Sequence, residues 1–367
     1  MDIETASKLV FPHPNPPFFY QHRNYRGQAA EPVTCPPLDD SVRLYGGSDV
    51  IRGEVMAAFD RVNTDRCGIL EGDYVVLENG SLLIGRAGDC IVTNWPDISH
   101  TSAKRLNEII HWPALWAQRA RIIERWDEMP AVEHGAVISN VFGVNYSHFT
   151  FEVINSFRFL DRFDVREILM PEHCLKRRFQ TDLVRRAMGP RKLITLANSV
   201  KVRDPVVIGT NSNILSRASV EWARRIAGAS ARPGDRRYYV RRSRNATTVG
   251  NNLSETPRLL ALLREYGFET VEFGDGELTA AQQVARLDGA GIVLSVHGAN
   301  LSNTAYLSPP LALIEVMGRR RVGSFFMQIA LLLGFRYYGL MSDELDGSND
   351  IVVDCDRLAA VLKEIAG

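Results

Sequence analysis

A histidine and a glutamate four positions apart are the first residues in this sequence that could do chemistry together. They are His148 and Glu152, in the stretch NYSHFTFE. On a helix this spacing places both side chains on one face. A glutamate can orient a histidine that accepts a proton, or can itself accept the proton while the histidine orients it. The alternative is an ordinary hydrogen-bonded pair with no catalytic role.

A second candidate lies in VLSVHGANLSN, residues 293–303. The apolar run predicts a buried strand, and His297 follows at its carboxyl end. A helix is predicted to begin at Gly298, and its first N–H groups would favour an anion, with phosphate as the natural ligand. The small residues Gly298 and Ala299 would let a phosphate approach the backbone. The alternative is a capped turn, with Asn300 or Ser302 as the cap.

Five arginines fall within nine residues of RRYYVRRSRN, where another strand is predicted to end. Arg241, Arg242 and Arg244 would leave this strand into a loop. Guanidinium groups bind phosphate through a rigid fork, so the cluster could neutralise a diphosphate. The alternative is a solvated basic strand end.

Glu315 ends the apolar run LALIEV. A carboxylate among apolar neighbours is costly unless it has partners. A ribose diol would be one partner, as in the nucleotide sites of α/β sheets. A helix N-terminus would be another.

The elements that must position these residues divide the chain in two. Short β-prone runs over residues 69–93 predict a small antiparallel region. A helix is predicted over 146–163, and its buried stripe would consist of Phe149, Val153, Phe157 and Leu160. Gly189 and Pro190 would end a further helix, and we place a domain boundary there. Beyond it, six predicted strands alternate with helices, which indicates a mostly parallel sheet covered on both faces. The expected helices cover 219–228, 255–266, 279–288, 298–306, 323–333 and 356–366.

The predicted organisation is α/β with three parts. Residues 1–189 form an N-terminal domain, with a β-rich region at about 45–95 and an α/β region at about 100–189. Residues 190–345 form a nucleotide-binding domain, and 346–367 a terminal strand and helix. Ligands would be bound between the halves, with loops at 200–218 and 245–254 shaping the pocket.

Composition excludes several classes of protein. The 367 residues carry 43 basic and 43 acidic side chains, so charge predicts no nucleic-acid partner. No apolar run is long enough to span a membrane, and the acidic, proline-rich N-terminus is no signal peptide. Five scattered cysteines predict neither a zinc site nor disulfides. The chain has no G-x-G-x-x-G or Tyr-x-x-x-Lys, which disfavours a dehydrogenase or epimerase.

Together the two motifs resemble glycosyltransferase family 61 over roughly residues 140–335. The family's Asn-x-x-His-x-x-x-acid pattern is similar to Asn145, His148 and Glu152. Its His-Gly-Ala-Gly-Leu-Thr-Asn pattern resembles residues 297–303, where Asn300 replaces glycine and Ser302 replaces threonine. The strand ending in Glu315 is also similar. One departure is that the Asn-Glu expected after the arginines is absent, although Asn251 or Asn252 could match its asparagine.

The resemblance implies a GT-B fold, with two Rossmann-like domains facing across a cleft, and an inverting sugar transfer from a nucleotide sugar, expected to be a UDP-sugar. The acceptor would be a glycan or lipid-linked oligosaccharide of a bacterial capsule or lipopolysaccharide. We expect a cytoplasmic protein with peripheral contact at the inner membrane face, and we predict no oligomeric state. A non-catalytic protein that binds sugar nucleotides or glycans is the alternative.

The resemblance also assigns roles to the residues. Glu152 is the preferred base and His148 its rival, with Asn145 in support. The donor would contact Arg241 or Arg242, Arg244, His297, Gly298, Ala299, Asn300, Asn303 and Glu315. No metal is expected, because the chain has no D-x-D-like motif in a credible loop and DELD at 343–346 is predicted to lie on the surface.

Overall fold

The computed structural model describes residues 23–34, 37–46, 53, 62–93, 112–140, 142–210, 214–228, 231–242, 252–274, 276–318 and 322–366. These residues form three sheets with helices between and outside them. Arg244, the loop 245–251 and Cys35 lie outside the described residues, so the expectations for them stay predictions.

Seventeen strands are present among these residues. In the first half they are β1 (Tyr25–Thr34), β2 (Val42–Gly46), β3 (Val62–Leu70), β4 (Asp73–Val76), β5 (Leu82–Gly85), β6 (Cys90–Val92), β7 (Ala131–Glu133), β8 (Ala136–Val137) and β9 (Glu167–Pro171). In the second half they are β10 (Lys192–Leu196), β11 (Val200–Arg203), β12 (Val206–Gly209), β13 (Arg236–Val240), β14 (Phe268–Val271), β15 (Ala290–Val296), β16 (Ala312–Gly318) and β17 (Arg336–Ser342).

One sheet is entirely parallel and runs in the order β14-β13-β15-β16-β17-β2. Its strands alternate their side chains between two buried faces, as near-continuous apolar strands of parallel sheets do. Tyr238, Val293 and Leu313 enter the largest hydrophobic cluster. Tyr239 and Leu294 enter a second cluster on the opposite face. The predicted parallel sheet is therefore confirmed.

Helices cover both faces of this sheet. Ala280–Ala285 and Phe325–Leu333 contribute to the first cluster, and Pro257–Glu265 and Cys355–Ala366 to the second. Each begins within about two residues of its predicted start. The predicted helix over 298–306 is a 3-10 helix, Ala299–Tyr306.

The other two sheets pack against each other in the first half. A mixed sheet runs β1-β3-β12-β8-β9-β10, and a five-stranded sheet runs β6-β5-β4-β11-β7. A hydrophobic cluster that includes Val76, Val137 and Val207 lies between them. The β4-β5-β6 region is the predicted antiparallel region. The α/β class is thus confirmed, whereas the facing pair of Rossmann-like domains stays a prediction.

Helices pack between the mixed sheet and the parallel sheet. They are Arg178–Ala187, Arg217–Ala227 and a composite helical segment over 146–162, and a further helix, Trp112–Glu124, packs on the five-stranded sheet. Phe149, Val153, Phe157 and Leu160 are all buried, as the apolar stripe predicted. The largest cluster draws on both sheets, so the two halves share one core.

Two expectations about organisation need correction. Gly189 follows the helix Arg178–Ala187 as predicted, but the chain does not change sheets there: β10 pairs with β9, and β11 and β12 join the first-half sheets. Conversely, β2 pairs with β17. Residues 200–209 were expected to be loop. They are buried strands instead, because valines on either side of the Asp204–Pro205 turn fill the space between the sheets.

Candidate active site

The candidate site begins at the point where the parallel sheet changes direction. From β13 the chain moves outward to β14, then returns to the other side of β13 as β15. In open α/β sheets, the crevice at the carboxyl ends of two such strands is the usual ligand site. Arg241 and Arg242 directly follow β13, and His297 and Gly298 directly follow β15. The structure therefore brings together two of the predicted donor-binding segments.

The two described arginines differ in their surroundings. Arg241 pairs with Glu272 through a short contact and lies 3.4 Å from Glu255. Hydrogen bonding to Glu272 raises the pKa of Arg241. Arg242 instead extends over the backbone of Gly298: a β-carbon added to Gly298 would lie 3.4 Å from its Nη1 atom. Of the two described arginines, Arg242 is therefore the one that lies beside the predicted phosphate position.

Asn300 and Asn303 hold the start of the 3-10 helix. The Asn300 amide makes a long, 3.5 Å contact with the Arg241 carbonyl, which ties this helix to the end of β13. Asn303 donates to the Gln283 side chain at 3.0 Å and to the Asn300 carbonyl at 3.1 Å. Both asparagines therefore position the backbone at Gly298 and Ala299.

Glu315 is fully buried, and His297 and Tyr337 hold its two carboxylate oxygens. The Tyr337 hydroxyl donates at 2.6 Å, and His297 makes a short contact through Nδ1. Burial and the adjacent carboxylate raise the pKa of Tyr337, which keeps it protonated as a donor. Glu315 was expected at the end of its strand, but β16 continues to Gly318. A ribose could reach this carboxylate only if one of its two partners moved.

The remaining edge of the His297 ring faces a loop. A β-carbon on Gly323 would lie 3.4 Å from Cε1 and 3.7 Å from Nε2 of His297. The imidazole therefore has a fixed orientation, with Nδ1 toward Glu315 and Nε2 toward residue 323. Tyr337 was not predicted as a site residue, because its strand gives only an apolar β signal.

His148 and Glu152 do form a pair: Nδ1 of His148 lies 3.0 Å from Oε1 of Glu152. The Glu152 side chain is only 7% exposed, whereas that of His148 is 36% exposed. Asn140 makes a short contact with the other carboxylate oxygen of Glu152. The sequence did not identify Asn140, which lies beyond a short strand and carries no motif.

The local backbone explains this geometry. Asn145 caps the helical segment, and its Oδ1 accepts from the N–H groups of Ser147 and His148 at 2.9 and 3.4 Å. Residues Phe149–Val153 then form a π-helical turn, a feature that occurs often at functional sites. The hydroxyls of Thr210 and Ser156 donate to the Glu152 carbonyl at 2.7 and 2.8 Å. They therefore provide hydrogen bonds to a backbone carbonyl of the π-helical turn.

Two sets of contacts connect the segment that carries His148 and Glu152 to the parallel sheet. The Tyr146 hydroxyl donates to Asn303 Oδ1 at 2.9 Å. A row of edge-to-face rings also runs from Phe151 to Phe325, Phe326 and His297, with centroid separations of 5.0 to 5.2 Å. The two sequence motifs are therefore parts of one packed unit, although Tyr146 and Asn303 lie 157 residues apart in the sequence.

Within the described part of the chain, no group of three His, Cys, Asp or Glu side chains could hold a metal ion. Residues 343–345 are exposed, as expected for DELD. Asp346 instead accepts from the Ser254 hydroxyl and from loop amides. The described helices include none that is both long and apolar enough to cross a membrane.

Comparison with known proteins gives one match. Residues 146–314, a little under half of the chain, match the family model described as Glycosyltransferase 61. No curated protein matches the sequence. The matched region contains His148, Glu152 and the whole 297–303 motif, while Asn145 and Glu315 each lie one residue outside it. Over these residues the chain is therefore similar to glycosyltransferase family 61.

Proposed function

We propose that this protein transfers a sugar from a nucleotide-sugar donor to a hydroxyl group of a glycan acceptor. The observation that carries the proposal is the direct connection of the two motifs through Tyr146 and Asn303. This contact links the segment that carries the proposed proton-accepting pair to the strand end that we propose binds the anion. A group transfer from a diphosphate needs both functions.

In this proposal His148 is the base, and Glu152 orients it. We preferred Glu152 from the sequence, but Glu152 is the more buried member and its oxygens already contact His148 and Asn140. With the proton on Nδ1 held by Glu152, Nε2 of His148 is the atom that accepts the proton of the acceptor hydroxyl. This is the role of the carboxylate in acid–histidine pairs generally.

The donor diphosphate would lie against Gly298 and Ala299, with Arg242 as its cation. A guanidinium group and backbone N–H groups aimed at a leaving diphosphate stabilise the charge that develops as the bond to the sugar breaks. His297, held through Nδ1 by Glu315, is proposed to contact the donor phosphate or sugar. Arg244 stays a predicted donor contact.

The finer points rest on the family resemblance. The acceptor oxygen attacks the anomeric carbon, the bond from that carbon to the diphosphate oxygen breaks, and the configuration inverts. Arg242 and the backbone N–H groups near Gly298 would make a metal unnecessary. A UDP-sugar donor and a bacterial surface polysaccharide as product complete the proposal.

The test is release of the nucleotide, UDP, GDP or CMP, from a panel of UDP-, GDP- and CMP-sugars, each with and without Mn²⁺ and EDTA. We expect one donor to be consumed, and its addition to raise the melting temperature because ligand binding stabilises the folded state. If a donor binds but no nucleotide is released, not even by slow hydrolysis, the non-catalytic alternative would be favoured. A requirement for Mn²⁺ would contradict the metal-independent part alone.

A further inference from the structure

A pocket of about 620 Å³ lies where the ends of three helical segments meet, apart from the residues of the candidate active site. Its wall comes from the segment 146–162, the end of Arg178–Ala187 with the turn that follows, and the last turns of Arg217–Ala227. This volume is in the range of small-molecule sites.

The charge of the pocket is positive. Arg186, Arg191 and Arg225 line it, against the single carboxylate of Asp161. Arg186 and Arg225 lie in the last turns of their helices, where a cation also offsets the helix dipole. That explanation accounts for a basic residue in each helix, but not for their convergence on one cavity.

The arginines differ in how far the protein already uses them. Arg191 donates to two carbonyls and to Asp161, the last at 2.6 Å. Its side chain therefore has a structural role in the wall of the pocket. Arg186 donates to Asp182 at 3.1 Å through Nε. Arg225 is exposed, and its side chain makes no hydrogen bond or ion pair within the described residues, only a cation–π contact with Trp222.

The stacking contact prepares Arg225 for an anion. Its guanidinium carbon lies 4.4 Å above the Trp222 ring. A guanidinium group held over an aromatic ring keeps N–H donors that point away from the ring, and these can bind a carboxylate or phosphate. Trp222 is itself fixed, because its indole N–H donates to the Ile154 carbonyl at 2.8 Å.

The apolar part of the wall suits a sugar ring. Trp222, Phe157, Pro190 and Ile226 line the pocket together with the arginines. Aromatic and apolar surface beside a few directed polar groups is the usual composition of small-molecule sites. An inorganic anion alone would leave this surface uncovered.

We propose that this pocket binds a small acidic saccharide, with its carboxylate or phosphate on Arg225 and Arg186 and its ring against Pro190 and Ile226. The site does not depend on the proposed catalytic activity. It adjoins the helical segment that carries Glu152, through Phe157 and the bond from Trp222 to Ile154.

The test is isothermal titration calorimetry of the full chain with glucuronate, glucose and inorganic phosphate as probes. We expect glucuronate to bind at least about tenfold more tightly than glucose or phosphate, because only it satisfies both the arginines and the apolar wall. Arg225→Gln should weaken glucuronate binding by about tenfold or more, since it removes one charged partner.

Two control variants locate the binding. Arg217→Gln removes an exposed arginine from the same helix without touching the pocket, and should bind glucuronate as the wild type does. Arg242→Gln should also bind glucuronate normally, because Arg242 belongs to the donor site. Absence of glucuronate binding, or equal binding by Arg225→Gln, would overturn the proposal. Equal affinity for phosphate and glucuronate would overturn its saccharide part.

Discussion

Two arginines that follow one strand have different neighbours, and we propose different roles for them on that ground. Arg241 is neutralised by Glu272 and Glu255, whereas Arg242 extends over Gly298. We predict that Arg242→Gln weakens binding of a nucleoside diphosphate by about tenfold to a hundredfold, the loss of one charged hydrogen bond or more. The measurement is calorimetric titration with UDP and GDP.

Arg241→Gln is the matched control for that titration. Its partners are carboxylates of the protein, so its loss should change the affinity by less than about threefold, within the small net value of exposed ion pairs. A larger loss of affinity in Arg241→Gln than in Arg242→Gln would reverse the assignment.

The imidazole of His148 can be tested as the base by chemical rescue. His148→Gly should lower turnover by about a hundredfold or more, the usual contribution of a general base. Added imidazole should restore part of that turnover in His148→Gly but none in Glu152→Gln, whose defect is orientation. Rescue that is equal in both variants, or absent from both, would contradict the assignment of His148 as the proton acceptor.

The buried partner of Glu315 gives a prediction for stability. Tyr337→Phe leaves one oxygen of a fully buried carboxylate without its donor, and should lower the free energy of unfolding by about 1–3 kcal/mol. Tyr338→Phe removes a longer, 3.3 Å bond to Glu364 and should cost less than about 1 kcal/mol. Urea denaturation of both variants makes the comparison, and equal losses would contradict it.

At the scale of elements, the sequence predicted the strands and helices whose own residues carry the pattern of that element. The alternating strands and helices after residue 230 were predicted with correct types, because the central strands β15 and β16 are mostly apolar and two of the helices begin at threonine caps, Thr256 and Thr279. The prediction of a buried apolar stripe over residues 146–163 was correct for the same reason.

Elements that depend on distant partners were missed. The short strands β11 and β12 gain their hydrogen bonds from strands more than 60 residues away, so nothing local distinguishes them from a loop. The π-helical turn at Phe149–Val153 was also missed, because a single turn is too short to change the spacing of apolar residues in the sequence. In the site, Asn140 and Tyr337 were missed because their roles come from tertiary contact.

The buried thiols in these elements give a prediction that depends on pH. Burial raises the pKa of Cys90 and Cys174 to about 12, and raises that of Cys67 and Cys355. A thiol whose pKa is raised by folding stabilises the native state below its unfolded value of about 8.5, and this contribution is lost as pH rises above that value.

In a Cys35→Ser background, we therefore expect the four remaining thiols to resist iodoacetamide in the native state at about pH 9 and to react in denaturant. Mass spectrometry counts the modified sites. Rapid native alkylation of Cys90 or Cys174 would contradict the buried environment.

At the scale of the molecule, the main hydrophobic cluster extends from the mixed sheet to the parallel sheet. The strand β2 also joins the first half of the chain to the second-half sheet. A shared core predicts a single cooperative unfolding transition. Calorimetry and tryptophan fluorescence should give the same midpoint, and two separate transitions would show independent halves.

The central claim is that one site combines a proton-accepting pair on the segment 146–162 with a donor site on the parallel sheet. Its most direct test is the rate of diphosphate release by Glu152→Gln, measured beside its affinity for the donor. Exposed Glu172 provides the matched control, Glu172→Gln. We predict that Glu152→Gln lowers turnover by about a hundredfold or more while the donor dissociation constant changes by less than about threefold. Unchanged turnover in Glu152→Gln, or a fall no larger than that of Glu172→Gln, would contradict the account.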